Sequence, residues 1–285
     1  MAPGIRYHLL TLIAVFLALA IGMVIGGSYL PGAIVSGLTR QIRELNARFT
    51  EEVGPLREQN RRQADAIGAL VPMVVGGRLK GMRLAIVQTG DYGDLATRLR
   101  DELTRAGARI PSLVTIPPDY RTRSQMTAER WLPALRAWHP GLPREPASPM
   151  RVLASVLASG DNGADARALE ASRLIDVDGS LTHGVDGVVL VGGTGQLGES
   201  RVDAVDVPLA LALRGLGVEV VLAEPETVEA SSVSALSAAG ASTVDNADTT
   251  LGTAALVLAL QSPRGDFGAR ATATSGLLPA PPAAR

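Results

Sequence analysis

Cysteine is absent from the 285 residues, which excludes disulfides, thiolate metal sites, iron–sulfur clusters and thiol catalysis together. Lysine occurs once, at Lys80, and histidine three times, at His8, His139 and His183, with no ligand spacing in common. An excess of charge of either sign is also missing: 27 basic and 28 acidic side chains leave a net charge of −1, so no global field recruits nucleic acid. A hydrophobic content of 46% excludes a disordered chain and permits a large core. Methionine supplies the only sulfur, at positions 1, 23, 73, 82, 126 and 150, and no Met-x-x-Met or Met-x-Met cluster offers Cu(I) a local site.

The longest absence is of charge between Arg6 and Arg40. Leu9 to Leu30 is apolar apart from Thr11, Ser28 and the hydroxyl of Tyr29, and as a helix it reaches about 33 Å, enough to cross a hydrocarbon core. Tyr7 and Tyr29 stand at the two ends, where amphipathic rings favour the interface. Ala18-Leu19-Ala20 offers a signal-peptidase pattern, but Ile21 to Ile25 carry the apolar run past it, so residues 9–30 read as a retained transmembrane helix. Arg40, Arg43 and Arg48 follow the span, and charge alone leaves its orientation open. Ala18, Gly22 and Gly26 put small groups on one helix face, a candidate self-association surface beside the commoner reading of ordinary membrane glycines.

Pro31 and Gly32 are expected to interrupt this helix. Beyond them Leu38, Ile42, Leu45 and Phe49 recur with spacings of four, three and four, the rhythm of a helix seam, and residues 36–70 read as a short coiled-coil stalk. Glu52, Gln59 and Gln63 fall on seam positions, and Gly54-Pro55 predicts a break into two helical pieces.

From Gly81 short apolar runs alternate with amphipathic segments, which predicts an α/β domain over 81–262 with a mainly parallel, Rossmann-like sheet. Met82–Thr89 and Arg109–Ile116 read as strands around a helix that closes at Gly107. The four prolines between 139 and 150 read as an exposed meander that could subdivide the domain. Helices are expected at 152–159, 165–175, 202–216, 228–239 and 249–260, strands at 185–191, 218–223 and 241–244, and a tail at 263–285.

The best candidate site is the loop Gly192, Gly193, Thr194, Gly195, which follows a strand and begins G-x-G-x-x-G from Gly193 to Gly198, as a phosphate cradle would. Its acidic ribose partner is met only loosely, by Glu219, and a tight turn requiring glycine is the competing reading. Asp176, Asp178, Asp186 and His183 could ligate a cation or could line a solvated loop, and Ser180 and Thr182 lie beside His183 without defining a triad. No catalytic residue is assigned.

Two stretches carry a family resemblance: Arg6-Tyr7-His8 through Gly22, and Ser242 to Leu260 followed by Gly265-Asp266-Phe267-Gly268 and Leu277-Leu278-Pro279. Together they resemble the bacterial MctB-type copper transporter family. The resemblance implies an N-terminus in the cytoplasm (residues 1–8), a single span, a stalk and an extracytoplasmic domain at the cell membrane, with a part in copper efflux or homeostasis. It implies no enzyme activity and no cofactor, with copper as a transported ion. One helical span cannot enclose a pore, so action within an oligomer or complex is expected. The expected partners are the lipid bilayer and, through Gly22, Gly26, Leu38, Ile42, Leu45 and Phe49, a second copy or another membrane protein, with scaffolding of envelope assembly as the alternative role; nucleic acid is not expected.

Overall fold

The structure, a computed structural model, describes residues 3–160, 163–195 and 201–280, with the side chains at 3–6, 27–37 and 52 outside that description. The chain divides into two units, Met1–Asp65 and Ala66–Arg285.

Helix α1 (Pro3–Val75) supplies the first unit and opens the second. Within it Tyr7–Gly26 is long and apolar enough to cross a membrane, and none of that segment is buried. The breaks expected at Pro31-Gly32 and Gly54-Pro55 do not occur, since α1 runs through both. A proline removes one N–H donor and strains one turn, at about 3 kcal/mol; around Pro55 helix formers such as Glu51, Leu56, Arg57 and Glu58 offset this, whereas the glycine-rich flanks of Pro31 give no such account. Leu38, Ile42, Leu45 and Phe49 are all exposed on α1.

In the second unit the last turns of α1 deliver Val75, and Leu79 follows, into an apolar core. The sheet is built from β1 (Arg83–Gln88), β2 (Arg109–Thr115), β3 (Asp176–Gly179), β4 (Gly187–Val191), β5 (Glu219–Ala223), β6 (Ser242–Val244) and β7 (Asp266–Phe267). Their spatial order is β3-β2-β1-β4-β5-β6-β7. Only β3 is antiparallel to its neighbour. Helix α2 (Gly93–Arg105) connects β1 to β2. Between β2 and β3 come α3 (Tyr120–Met126), α4 (Ala128–Arg136), α5 (Ala147–Ser159) and α6 (Ala164–Ala171); α7 (Val207–Gly215), α8 (Val233–Ala238) and α9 (Thr250–Ala259) follow β4, β5 and β6.

Side chains alternate across a strand, so a sheet covered on both faces needs apolar residues at every position. In β1, Ala85 and Val87 belong to the same core as Trp131, Leu153 and Leu209 of the helices on one face, whereas Leu84 and Ile86 belong to that of Leu99 of α2 and Leu256 of α9 on the other. The strands expected at 82–89, 109–116, 185–191, 218–223 and 241–244 are accordingly found at 83–88, 109–115, 187–191, 219–223 and 242–244, within two residues of their predicted ends.

Differences arise where local polar chemistry competes with periodicity. The meander expected up to residue 150 ends early, because α5 starts at Ala147 with Pro149 in its first turn, where an N–H has no intrahelical acceptor to lose. The single helix expected over 202–216 is instead a π-turn, Val202–Asp206, joined to α7 with Pro208 at its start. Helix α8 begins five residues late, since the Ser231 hydroxyl and the Ser232 amide are drawn to Glu224. The sheet also gains two strands from segments read otherwise: β3 from the acidic candidate loop, and β7 from the tail region.

Among the described glycines, the closest approach of a neighbour is at the start of α9. Thr249 caps it by accepting the Gly252 amide at 2.9 Å, and a Cβ on Gly252 would lie 1.8 Å from the Asn246 carbonyl oxygen. Gly252→Ala should therefore cost about 1–3 kcal/mol in chemical denaturation. Gly68→Ala, on α1 with open space around it, should stabilise by up to about 1 kcal/mol.

Candidate ligand crevice at the carboxyl end of the sheet

In a doubly wound sheet, ligands bind outside the carboxyl ends of the strands, where the order reverses. Here that point lies between β1 and β4. The chain beyond β1 is Thr89-Gly90-Asp91 and beyond β4 is Gly192-Gly193-Thr194-Gly195; β5 and β6 lead into Glu224 and Asp245.

The two loops at the reversal are bonded to each other. The Thr89 and Gly90 amides both donate to the Val191 carbonyl at 2.9 Å, and the Asp91 amide donates to that of Gly193 at 3.2 Å. A Cβ on Gly90 would lie 2.1 Å from the Gly193 carbonyl oxygen, and Gly193 has φ +78°, so these glycines permit close backbone approach and a turn. Of the loop amides, that of Gly192 donates to Ala223, that of Thr194 to Ala230, and that of Gly195 to the Asp91 carboxylate at 3.2 Å. Gln196 to Gly198, the remainder of the motif, lie outside the described residues. Glu219, the loose ribose partner, opens β5 opposite Gly187 and so sits at the amino end of the sheet, away from the loop.

Charge concentrates around these loops. Arg201, nine-tenths buried, donates to the Thr89 carbonyl and, at 2.9 Å, to the Asp91 carboxylate. Glu224 is fully buried and receives the Ser231 hydroxyl, the Ser232 amide and the Arg270 guanidinium, the last at 2.7 Å. Asp245 accepts from the Ala269 amide at 2.8 Å, the Thr272 hydroxyl at 2.9 Å and the Arg270 amide. Asp266 of β7 accepts from Ser237 and Thr243, so the segment after α9 is fastened to α8 and β6.

Asp206, at the end of the π-turn, is a third buried acid beside Glu224 and Asp245. Its Oδ2 accepts from the Ser232 hydroxyl at 2.6 Å, and no well-formed hydrogen bond reaches its Oδ1. Burial lifts its carboxyl above the usual 3.8; the Ser232 and Thr89 hydroxyls oppose the shift, Glu224 adds to it and Arg201 opposes it. Burial, followed by the charge of Asp91, also raises the Tyr92 phenol.

The other residues singled out in the sequence are dispersed. Asp178 pairs with Arg100, Asp186 accepts the Arg83 amide, and no group of three His, Asp or Glu side chains that could hold a metal occurs among the described residues. Ser180, Thr182 and His183 do form a hydrogen-bonded chain, with steps of 2.9 Å, but all three are exposed to water. His139 pairs with Asp165 at 2.7 Å, and Met150 is buried while Met23, Met73 and Met126 are exposed. Gly22 and Gly26 have open space around them on α1. The sequence reading missed Asp91, Arg201, Asp206, Glu224, Asp245 and Arg270. Asp91, Glu224 and Asp245 were detectable as acids placed just past predicted strand ends; the arginines lie far away in sequence and carry no local signal.

Two variants test this network. Arg270→Met leaves the Glu224 carboxylate buried without its counter-charge and should cost about 3–5 kcal/mol in denaturant unfolding. For Asp206, the folded state retains a proton that the unfolded chain releases, so this stabilisation is full below the unfolded value and is lost as pH rises through the raised folded value. The stability difference between the natural protein and Asp206→Asn should accordingly fall with rising pH above about 4.

Comparison with known proteins places this fold in a family. The family model described as copper transport outer membrane protein, MctB, matches residues 4–278. No curated protein matches the sequence. The chain belongs to the MctB family of copper transport proteins.

Proposed function

We propose that the protein takes part in copper efflux or homeostasis as a membrane-anchored member of an oligomer or complex, with its N-terminus in the cytoplasm and its α/β domain outside it. The observation that carries this reading is the surface of α1. Tyr7–Gly26 is apolar and unburied, and further along the same helix Leu38, Ile42, Leu45 and Phe49 are exposed at seam spacing. Exposed apolar area of this kind is stabilised by lipid in the first segment and by another helix in the second, at about 25 cal/mol for each Å² removed from water.

Membership of a copper transport family supports copper as the cargo. A single apolar helix cannot line a pore, because a conduit through the bilayer needs several helices or a closed barrel. The seam on α1 therefore supports assembly, either with a second copy or with another membrane protein. The same seam favours the alternative role, a non-enzymatic scaffold or regulator of envelope assembly that acts through its stalk.

Deletion of the gene should raise cellular copper and sensitise cells to it; unchanged copper content and tolerance would remove the export reading and leave the scaffold. Replacing Ile42, Leu45 and Phe49 together by Glu should abolish cross-linked oligomers or the co-purified membrane partner. Assembly that survives this change would overturn the role of the stalk.

A further inference from the structure

The loops at the β1–β4 reversal already hold one anion, and it belongs to the chain. The Asp91 carboxylate receives the Arg201 guanidinium on Oδ1 at 2.9 Å and the Gly195 amide on Oδ2 at 3.2 Å. A guanidinium and a glycine-loop amide converging on two oxygens form the donor set that recognises a phosphate or carboxylate group. Arg201 is nine-tenths buried and is held from behind by the Thr89 carbonyl, so its charge is fixed in place before anything binds. Asp91, in contrast, is partly exposed and lines an open cleft of about 460 Å³ together with Gln88, Tyr92, Asp94, Arg98 and Asp248. That volume lies within the usual range for small-molecule sites, about 300–1,000 Å³.

We propose that Asp91 is an internal stand-in for a ligand oxyanion, and that a small organic phosphate binds here by displacing the Asp91 carboxylate from Arg201 and the Gly195 amide. The exchange replaces one anion by another on the same two donors, so the buried guanidinium is never left without a counter-charge. The released Asp91 side chain turns into the cleft and is hydrated. Arg98 supplies a second cation for a further phosphate oxygen, and the Tyr92 ring offers an apolar face to the organic part. Two further carboxylates, Asp94 and Asp248, line the cleft, so binding depends on the Arg201 and Arg98 guanidiniums; the Asp248 Oδ1 accepts the Glu226 amide at 2.7 Å. This site is independent of the copper reading and of the seam on α1.

The test uses the full chain in detergent, with sodium pyrophosphate as the probe and sodium chloride at matched ionic strength as the control. Asp91→Ala removes the internal anion and exposes both donors. Calorimetric titration should show pyrophosphate bound about tenfold more tightly by this variant than by the natural protein. Adding Arg201→Lys to Asp91→Ala should abolish the gain. A folded Asp91→Ala protein with no pyrophosphate-specific binding would overturn the proposal, as would a gain that persists in the double variant. Should Asp91→Ala fail to fold, phosphorus-31 line broadening of pyrophosphate by the natural protein decides the matter. Broadening that is lost in Arg201→Lys supports the site, and its absence from the natural protein overturns it.

Discussion

The pairing of Arg270 with Glu224 and Asp245 closes the carboxyl end of the sheet, and much of the second unit depends on it. A mainly parallel sheet covered on both faces has apolar side chains along almost its whole length, so polar groups gather where its strands end. Glu224 and Asp245 are buried there, and a buried carboxylate is tolerable only with charge and hydrogen-bond partners. The segment after α9 supplies them: Asp266 and Phe267 add a last strand, and Arg270 and Thr272 follow onto the two acids. A tail in sequence is thus a structural strap in the fold.

The same constraint shapes the reversal between β1 and β4. There the two loops are bonded backbone to backbone, and Arg201 binds Asp91 across them. The glycines serve this close approach, and the donors that could meet a ligand anion are taken by the chain's own carboxylate. Asp206, held by the Ser232 hydroxyl, adds a buried acid whose neutral form suits its surroundings.

The two units present opposite problems. In the second, apolar side chains are buried against each other; in the first, the apolar side chains of α1 at 7–25 and at Leu38, Ile42, Leu45 and Phe49 are exposed. Membership of a copper transport family gives that exposed surface a functional setting. The proposed crevice chemistry and the proposed assembly use different residues, and each stands or falls alone.

Most of the fold was legible from residues 81 to 260 because strand runs such as Val188 to Val191 and helix spacings such as Leu95, Leu99 and Leu103 are local signals that the packed core preserves. The helix spanning Pro31 and Pro55 was not, since local proline rules carry no information on how strongly the flanking turns hold. By itself the sequence determined the apolar N-terminal helix, the α/β alternation and the lack of thiol chemistry, all of which depend on neighbours within a few turns. Only the tertiary structure decided that Asp91 meets Arg201 and that Glu224 and Asp245 meet Arg270, because these partners lie between 25 and 110 residues apart and burial, which sequence spacing does not encode, is what makes their pairing compulsory.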